Sequence, residues 1–240
     1  MNCEYNKKFF TFVTWPYPVS VALIVIGIIP FLLMLLDVRG IWGIVPVGVV
    51  FIIAGLVILF AFKSKRADEK ALQEDIDKAV KDIKDEAVKA LEIGYKDIEF
   101  NAAFEPYMMG DFDFTAHDDT LIGKGGDGKY RSNYYSANQL FYTKEGLFIY
   151  KKDFCLTSEY MENTAYKIPY GDIKSAETID SKYKYPVKKT TVTVSGNQVI
   201  IHTSENGDVV LTGRYNDSDM DTLVTTINKI RDKWAKEGKF

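Results

Sequence analysis

Two long apolar runs near the amino terminus set this chain apart from an ordinary globular sequence. They occupy residues 19–36 and 41–62, contain no charged residue, and are separated by a polar break at residues 37–40. A helix rises about 1.5 Å per residue, so each run is long enough for the roughly 30 Å hydrocarbon core of a bilayer. An ionised side chain at mid-span costs about 2.5–3.5 kcal/mol, which makes the absence of charge typical of a membrane helix. The pattern predicts a two-span transmembrane hairpin over residues 1–66 and disfavours a buried helical pair in a globular core.

Residues flanking these runs predict the orientation of the hairpin. Basic residues stand just outside both runs, whereas the break between the runs carries one acid and one base. The basic residues are Lys7, Lys8, Lys63, Lys65 and Arg66. Because positive residues stay on the cytoplasmic side, we expect a multi-pass protein of the cell membrane with both termini cytoplasmic. The residues expected to anchor the hairpin at the membrane interfaces are Trp15, Tyr17, Trp42, Lys63, Lys65 and Arg66.

The segment at residues 67–95 changes to a helical pattern. It is rich in strong helix formers, lacks proline, and repeats apolar residues at steps of four and three. The repeated residues are Leu72, Ile76, Val80, Ile83, Ala87 and Leu91. The pattern predicts one amphipathic connector helix of about 27 residues. Its apolar stripe suits either a coiled-coil stalk, which would give a homodimer, or a face packed against its own domain.

Residues 96–240 have the pattern of a β-rich domain that ends in a helix. Short runs with period two are separated by turn signals such as Lys144-Glu145-Gly146 and Asn206-Gly207-Asp208. The predicted strands are residues 139–143, 147–151, 165–168, 173–179, 190–195, 199–203 and 209–212. A final helix begins at Asp217 or Ser218 and has an apolar face of Leu223, Val224, Ile227, Ile230 and Trp234. We expect an α+β domain in which about seven antiparallel strands form a barrel or sandwich closed by this helix.

Two stretches carry a resemblance to a known family. They are LFYTKEGLFIYKK, with a strand pair at Leu140–Tyr150, and IPYGDIKSAETI, with a step into the next strand at Ile168–Ile173. Together with the closing helix they resemble a bacterial pleckstrin-homology-like (PH-like, GRAM-like) domain over about residues 130–236. The resemblance implies a binding or scaffolding module, often attached to membrane helices, without shared catalytic residues. The glycine-rich segment before Tyr130 departs from the family pattern, and residues 98–114 are expected to be irregular.

Composition narrows the function classes. The formal net charge is −3, so no overall basic field favours nucleic acid. Cys3, Cys155, His117 and His202 form no CxxC pair or Cys/His cluster, which disfavours a disulfide framework and a structural zinc site. The sequence contains no GxSxG, HExxH or catalytic-cysteine signature. We therefore predict a protein that is not an enzyme and has no cofactor or metal.

Two further motifs have simple structural explanations. The glycine-rich residues 123–129 lack the Gly-Lys-Ser/Thr sequence and the following helix of a phosphate-binding loop, so we expect a flexible hairpin turn. Asp111, Asp113, Asp118 and Asp119 could bind a divalent cation, since hard cations prefer clustered carboxylates. Their spacing differs from that of an EF-hand loop, and a solvated acidic loop is the simpler explanation.

One basic loop suits a binding function. Residues 181–189 interleave lysines with tyrosines between predicted strands, and the candidate binding residues are Lys182, Tyr183, Lys184, Tyr185, Lys188 and Lys189. Near an anionic inner leaflet each lysine adds on the order of 1 kcal/mol of attraction, and the tyrosines could lie at the headgroup level. The same loop suits an acidic face of a protein partner. An ordinary basic hairpin loop is the simpler alternative.

The sequence therefore predicts a membrane-anchored, non-enzymatic binding or scaffold protein that presents a cytoplasmic domain to a protein partner or to the inner leaflet. The alternative is a structural or regulatory subunit of a larger membrane complex, with its contacts made by the transmembrane hairpin. Mutation of the basic loop should impair the first function, whereas replacement of the hairpin by an unrelated two-span anchor should impair the second.

Overall fold

The computed structural model describes residues 1–11, 16–36, 41–65, 68–94, 106–115, 117–187, 190–213 and 217–237. The helices of this described part are α1 (Cys3–Phe10), α2 (Pro16–Leu35), α3 (Val45–Lys65), α4 (Glu69–Val80), α5 (Ile83–Ala90) and α6 (Asp217–Glu237). The strands are β1 (Tyr107–Asp113), β2 (Ile122–Lys124), β3 (Tyr130–Ser132), β4 (Tyr134–Tyr142), β5 (Gly146–Cys155), β6 (Met161–Pro169), β7 (Ile173–Val187), β8 (Thr190–Thr203) and β9 (Asp208–Thr212). Two compact units result: residues 11–68 form the helical unit, and residues 1–10 with 69–240 form the β-unit.

The helical unit consists mainly of α2 and α3, which pack antiparallel to each other. Within the described residues, Tyr17–Leu35 is one helix that is long and apolar enough to cross a membrane. The described apolar part of α3, Val45–Ala61, is a shorter helix of the same character. Pro30 lies inside α2 without ending it.

Small residues bring α2 and α3 close together. A Cβ added to Gly27 would lie 2.6 Å from the carbonyl oxygen of Gly48, and one added to Gly55 would lie 2.8 Å from that of Ser20. Ser20 and Gly27 are spaced along α2 as Gly48 and Gly55 are along α3, so matched pairs recur after two helical turns. A larger side chain at these glycines would separate the backbones, which is why apolar helices pack through small residues.

The β-unit is built on two antiparallel sheets and α6. One sheet has the strand order β1-β4-β5-β6 and the other has the order β7-β8-β9. β2 and β3 follow β1 in the chain and pair with each other as a separate two-stranded sheet. Alternate residues of both sheets face a core that they share with one side of α6. This core includes Met109, Leu140, Leu147, Ile149, Ile168, Val199, Ile201, Leu211, Leu223, Ile227 and Ile230. The predicted antiparallel strands and carboxy-terminal helix are therefore confirmed.

Two predictions about strands are wrong in extent. The segment at residues 98–114 contains β1, which pairs with β4 along its whole length. Two buried aspartates, Asp111 and Asp113, interrupt the apolar alternation of β1, so the hydrophobic pattern does not predict this strand. β7 also continues to Val187 instead of ending at residue 179, because lysines and tyrosines extend its alternation beyond the core.

The connector contains two helices where one is predicted. α4 ends at Val80 and α5 begins at Ile83, with a turn at residues 81–82. The turn follows no proline or glycine, so the sequence pattern gives no warning of it.

The apolar stripe of the connector is buried in its own domain. Leu72 and Ile76 of α4 are buried, and α5 packs with Leu91 on the outer face of the four-stranded sheet, against Phe141 and Phe148. The buried ammonium of Lys152 on β5 donates to Glu86 of α5 at 2.7 Å and 2.9 Å. A coiled-coil stalk or homodimer through this stripe would have to expose these side chains. Of the two uses that the sequence allows for the stripe, the structure has the face packed against its own domain.

Candidate functional site

β7 and β8 form a hairpin that is longer than the sheet to which it belongs. β9 pairs with β8 only between Gln198 and His202. Beyond that point, residues 180–187 pair with residues 190–197 as a two-stranded ribbon, which we call the ribbon. The prediction that the lysine-tyrosine segment is a loop is therefore wrong as far as Val187, since a period-two alternation of these residues fits a strand.

The ribbon separates its lysines from its tyrosines. Successive side chains of a strand point to opposite faces, so Lys182 and Lys184 lie on one face and Tyr183 and Tyr185 on the other. Both lysines are exposed and stand opposite small polar residues of β8, and both tyrosines are half-buried. Among the described residues, neither lysine forms a side-chain hydrogen bond or ion pair. We call the exposed side the lysine face.

The predicted binding and anchoring residues divide between those that the structure describes and those that it does not. Lys188 and Lys189 lie outside the described residues, as do Trp15, Arg66 and the side chains of Lys63 and Lys65. Tyr17 and Trp42 are described, and their side chains are 64% and 73% exposed in the helical unit. Only Lys182 and Lys184 thus combine a predicted binding role with a described, outward position on the β-unit.

The tyrosine side of the ribbon faces the domain. The Tyr185 hydroxyl donates a hydrogen bond to the carbonyl oxygen of Phe114. Burial, with the negative charge of Asp113 and the neighbouring Tyr183, raises the pKa of Tyr185 to about 12. Tyr185 therefore attaches the ribbon to its own domain, which departs from its expected place among lipid headgroups.

Tyr185 of the ribbon contacts one end of the four-stranded sheet. Asp113, Tyr134 and Cys155 lie in register across β1, β4 and β5 at this end, which we call the Tyr134 end. Phe114, the acceptor for Tyr185, is the next residue after β1. The ribbon therefore extends its lysine face beside the Tyr134 end.

Helix α1 docks at the same end of the sheet. The buried side-chain amide of Asn6 donates to the carbonyl oxygen of Leu156, which follows β5, at 3.1 Å and to Asp75 of α4 at 3.0 Å. Asp75 also accepts the backbone N–H of Asn2 at 2.7 Å. Burial alone would raise the pKa of Asp75, but these two hydrogen bonds and the charge of Lys78 outweigh it and lower the pKa. An ionised Asp75 thus ties the segment before α2 to the segment after α3.

The glycine-rich segment forms the hairpin turn that the sequence predicts. β2 and β3 pair antiparallel, and the N–H of Gly125 donates to the carbonyl oxygen of Lys129 at 2.8 Å. Gly128 has a φ of +80°, a conformation that side-chain-bearing residues rarely adopt. We call residues 123–131 the glycine turn.

Arg131 in the glycine turn is a functional candidate that the sequence does not reveal. Its guanidinium forms two hydrogen bonds with Asp127, at 3.0 Å and 3.1 Å, and an ion pair with Glu69 of α4. The second carboxylate oxygen of Glu69 accepts the N–H of Gly126 at 3.0 Å. Hydrogen bonds from Arg131 and from the N–H of Lys129 lower the pKa of Asp127 to about 2. Glu69 is too far from the turn in sequence for any local motif to signal this contact.

The four acidic residues considered for cation binding take part in separate interactions. Asp111 and Asp113 accept nearby backbone N–H groups, Asp119 accepts the hydroxyl of Tyr134, and Asp118 is exposed. In the part of the chain that the structure describes, no group of three or more His, Cys, Asp or Glu side chains could hold a metal ion.

The two histidines lie in unrelated surroundings. His117 stacks on the ring of Tyr134 with a centroid separation of 4.1 Å. His202 joins the three strands of the smaller sheet, with Asp208 at 2.7 Å and Glu177 at 3.1 Å from its two ring nitrogens. The hydrogen bond with Asp208, followed by that with Glu177, raises the pKa of His202.

No protein-family model, curated protein or solved structure matches this chain. The PH-like resemblance therefore stays a prediction, and function has to be inferred from geometry. Three features of the Tyr134 end are available for that purpose: the lysine face, the docked helix α1 and the glycine turn.

Proposed function

We propose that this chain is a non-enzymatic binding protein of the cell membrane, anchored by a two-span hairpin of α2 and α3. Its β-unit is a cytoplasmic PH-like domain, and the lysine face of the ribbon binds anionic headgroups of the inner leaflet or an acidic protein partner. The observation that carries the proposal is the separation of exposed lysines from half-buried tyrosines beside the Tyr134 end.

The packing of α2 and α3 supports a membrane location. Most of the large apolar side chains of both helices are exposed in the helical unit, which water would oppose and lipid would accept. The two backbones approach through Gly27, Gly48 and Gly55, as membrane helices do where no hydrophobic effect drives them together. Each helix makes its backbone hydrogen bonds internally, as a membrane span requires.

The docking of α1 supports an even number of membrane crossings. α1 precedes α2 and α4 follows α3, yet Asn6 of α1 bonds to Asp75 of α4 within one unit. A chain that crossed the membrane once would leave these two side chains on opposite sides of the bilayer. Two crossings keep them together, and the positive charges of Lys7 and Lys8 favour the cytoplasmic side for both.

The order of the strands supports a PH-like domain. A four-stranded meander, a three-stranded meander and a closing helix follow one another, as the resemblance implies. The β2–β3 hairpin is an addition, and it lies in the glycine-rich segment that departs from the family pattern.

The lysine face suits an anionic surface for electrostatic reasons. Lys182 and Lys184 are exposed, and the sequence adds two more lysines, Lys188 and Lys189, shortly after them. Lysines near an anionic leaflet each contribute about 1 kcal/mol of attraction, and the attraction falls off within a Debye length.

The lipid proposal is tested by vesicle flotation of the β-unit. Residues 1–10 are joined to residues 69–240 by a flexible Gly/Ser linker of about 15 residues, because α1 and α4 both contribute buried side chains to this unit. The protein is mixed with phosphatidylcholine vesicles, with or without about one-third phosphatidylglycerol, at low and high salt. We expect salt-sensitive binding to the anionic vesicles alone, and its loss in the K182E/K184E variant. Equal flotation of both variants would contradict a role for the lysine face.

The two crossings are tested in the full-length chain. Val38→Cys places a thiol in the break between α2 and α3, and Ser204→Cys places one in the β8–β9 turn. In intact cells, a membrane-impermeant maleimide should label the first variant and spare the second. Labelling of the second variant in intact cells would contradict a cytoplasmic β-unit.

One observation favours the alternative of a subunit that acts through its hairpin. A cleft of about 240 Å³ opens between α2 and α3 beside Pro30, and its lining is apolar: Ile26, Ile29, Pro30, Leu33, Ile44, Val47, Gly48 and Phe51. Such a cleft fits side chains of a third membrane helix. Replacing the hairpin with an unrelated two-span anchor would abolish that function and leave vesicle binding by the β-unit intact.

A further inference from the structure

The glycine turn already binds an anion, and that anion belongs to the chain itself. Glu69 receives a guanidinium N–H of Arg131 on one carboxylate oxygen and the backbone N–H of Gly126 on the other. A guanidinium and a backbone N–H that converge on two oxygens are also the donors with which proteins bind phosphate groups. The contact therefore has the form of an anion site filled by a side chain.

Arg131 is held in position by groups other than Glu69. Asp127 binds both of its terminal nitrogens, and the carbonyl oxygen of Lys129 accepts a further hydrogen bond at 3.2 Å. The guanidinium carbon lies 5.7 Å from the centroid of the Phe112 ring, and only 14% of the side chain is exposed. Departure of Glu69 would leave these contacts intact, so the donor pair is preorganised.

The glycines of the turn fit the path that Arg131 takes. A Cβ on Gly125 would overlap the Nη1 atom of Arg131, so a larger residue there would make the guanidinium shift from its position across the turn. A Cβ on Gly126 would meet nothing closer than a Glu69 oxygen at 3.7 Å, which is ordinary contact. Gly125 thus leaves room for the guanidinium in its observed position, whereas Gly126 contributes its backbone N–H.

Glu69 offsets the positive charge of the turn. The turn carries three cations, Lys124, Lys129 and Arg131, against the single carboxylate of Asp127. Asp127 is an internal part of the turn, because it also accepts the N–H of Lys129 at 3.0 Å. Glu69 comes from outside, as the first residue of α4. Without Glu69 the turn would have a positive excess that attracts another anion.

We propose that the glycine turn is a phosphate-binding site that Glu69 occupies when no ligand is bound. A phosphate group, free or in a lipid headgroup, displaces Glu69 from Arg131 and Gly126. Displacement frees the first residue of α4, which follows α3 by only four residues in the chain. The proposal does not rest on the lysine face, and loss of either site leaves the other intact.

The test uses the full-length protein in a maltoside detergent, which contains no phosphate. Equilibrium dialysis measures the binding of radiolabelled inorganic phosphate. A second arm measures the binding of dioctanoyl phosphatidic acid against dioctanoylglycerol, which lacks the phosphate. Binding in both arms identifies the phosphate group as the ligand, and binding of phosphatidic acid alone identifies a lipid headgroup.

Removal of the internal anion should strengthen binding. We expect Glu69→Gln to bind the phosphate probe at least about tenfold more tightly than the wild type, because no carboxylate competes for Arg131. Glu74→Gln is the matched control, since Glu74 is an exposed residue of the same helix and should bind as the wild type does. Arg131→Gln should abolish binding in both the wild-type and Glu69→Gln backgrounds.

A folding defect in the Arg131 variant would not obscure the result. Lys124→Gln with Lys129→Gln removes two charges of the turn and leaves Arg131 and its carboxylate partners in place. We expect this variant to weaken phosphate binding at least about threefold in the Glu69→Gln background. Equal affinities of the wild type and Glu69→Gln for both probes would overturn the proposal, as would binding that survives both sets of substitutions.

Discussion

Two basic hairpins lie at the Tyr134 end of the β-unit, and they use their cations in opposite ways. The ribbon exposes Lys182 and Lys184, which form no side-chain hydrogen bond or ion pair with the described residues. The glycine turn folds Arg131 back onto Asp127 and Glu69, so that most of its charge is offset within the chain. The comparison teaches that basic residues at one end of a domain need not share a role. The exposed lysines of the ribbon can attract an anionic surface over a distance. The enclosed Arg131 can instead select an anion by the geometry of its hydrogen bonds.

The largest effect should come from reversing the lysine face. K182E/K184E replaces two attractive charges of about 1 kcal/mol each with two repulsive ones. We expect the affinity of the β-unit for anionic vesicles to fall roughly 100-fold or more, with no change in thermal stability. K174E/K229E is the charge-matched control, because both lysines are exposed and lie away from the ribbon. A comparable loss in that control would mean that total charge matters rather than the lysine face.

The glycine turn should fail at Gly125 by a steric mechanism. In Gly125→Ala the new Cβ would overlap Arg131, and we expect a loss of about 1–3 kcal/mol in the free energy of unfolding, measured by urea denaturation. Gly126→Ala, with its nearest contact at 3.7 Å, should change stability far less. Vesicle binding through the ribbon should survive in both variants. Equal destabilisation by the two alanines would argue against the described path of Arg131.

A smaller effect is expected where the ribbon joins the domain. Tyr185→Phe removes the hydroxyl that donates to Phe114 and should cost about 1 kcal/mol of stability. Because the lysine face is unchanged, affinity for anionic vesicles should stay within about twofold of the wild type. A large loss of vesicle binding without loss of stability would instead place the tyrosine hydroxyl in contact with lipid.

The smallest effect should depend on pH at the base of the β7–β8 hairpin. Asp208 and Glu177 raise the pKa of His202 above its usual 6.5, so protonated His202 stabilises the folded state. This stabilisation is complete below pH 6.5 and is lost as the pH rises through the pKa of the folded state. His202→Gln should therefore lower the melting temperature most at acidic pH and progressively less above pH 6.5. If the melting temperature of His202→Gln fell further below that of the wild type as the pH rose, protonated His202 would not stabilise the folded state.

Elements with a regular local pattern can be predicted from the sequence, whereas features that depend on contacts between distant residues cannot. α6 follows an apolar periodicity that burial explains, and it begins where the sequence predicts. The predicted strands at residues 139–143 and 147–151 cover only parts of β4 and β5. The extension of β7 was missed because its outer half alternates lysine with tyrosine, which resembles a polar loop when the pairing strand is unknown.

The candidate sites are predictable only in part, because some of their contacts join residues that are distant along the chain. The lysines of the ribbon are visible in sequence because they cluster. Arg131 is not, because its outside partner Glu69 belongs to a helix that precedes the domain's first strand. The docking of α1 gives no periodic signal either, since it depends on Asn6, a single buried amide in a short polar helix.

The docking of α1 also imposes an order on biosynthesis. Asn6 donates to the carbonyl oxygen of Leu156, which is made 150 residues later. At roughly 5–20 residues per second, the ribosome needs about 8–30 s to reach that acceptor after Asn6 has been added. Both α2 and α3 are complete before then, so they have time to enter a bilayer while α1 is still undocked. Closure of the β-unit by α1 is thus a late event that follows synthesis of α2 and α3.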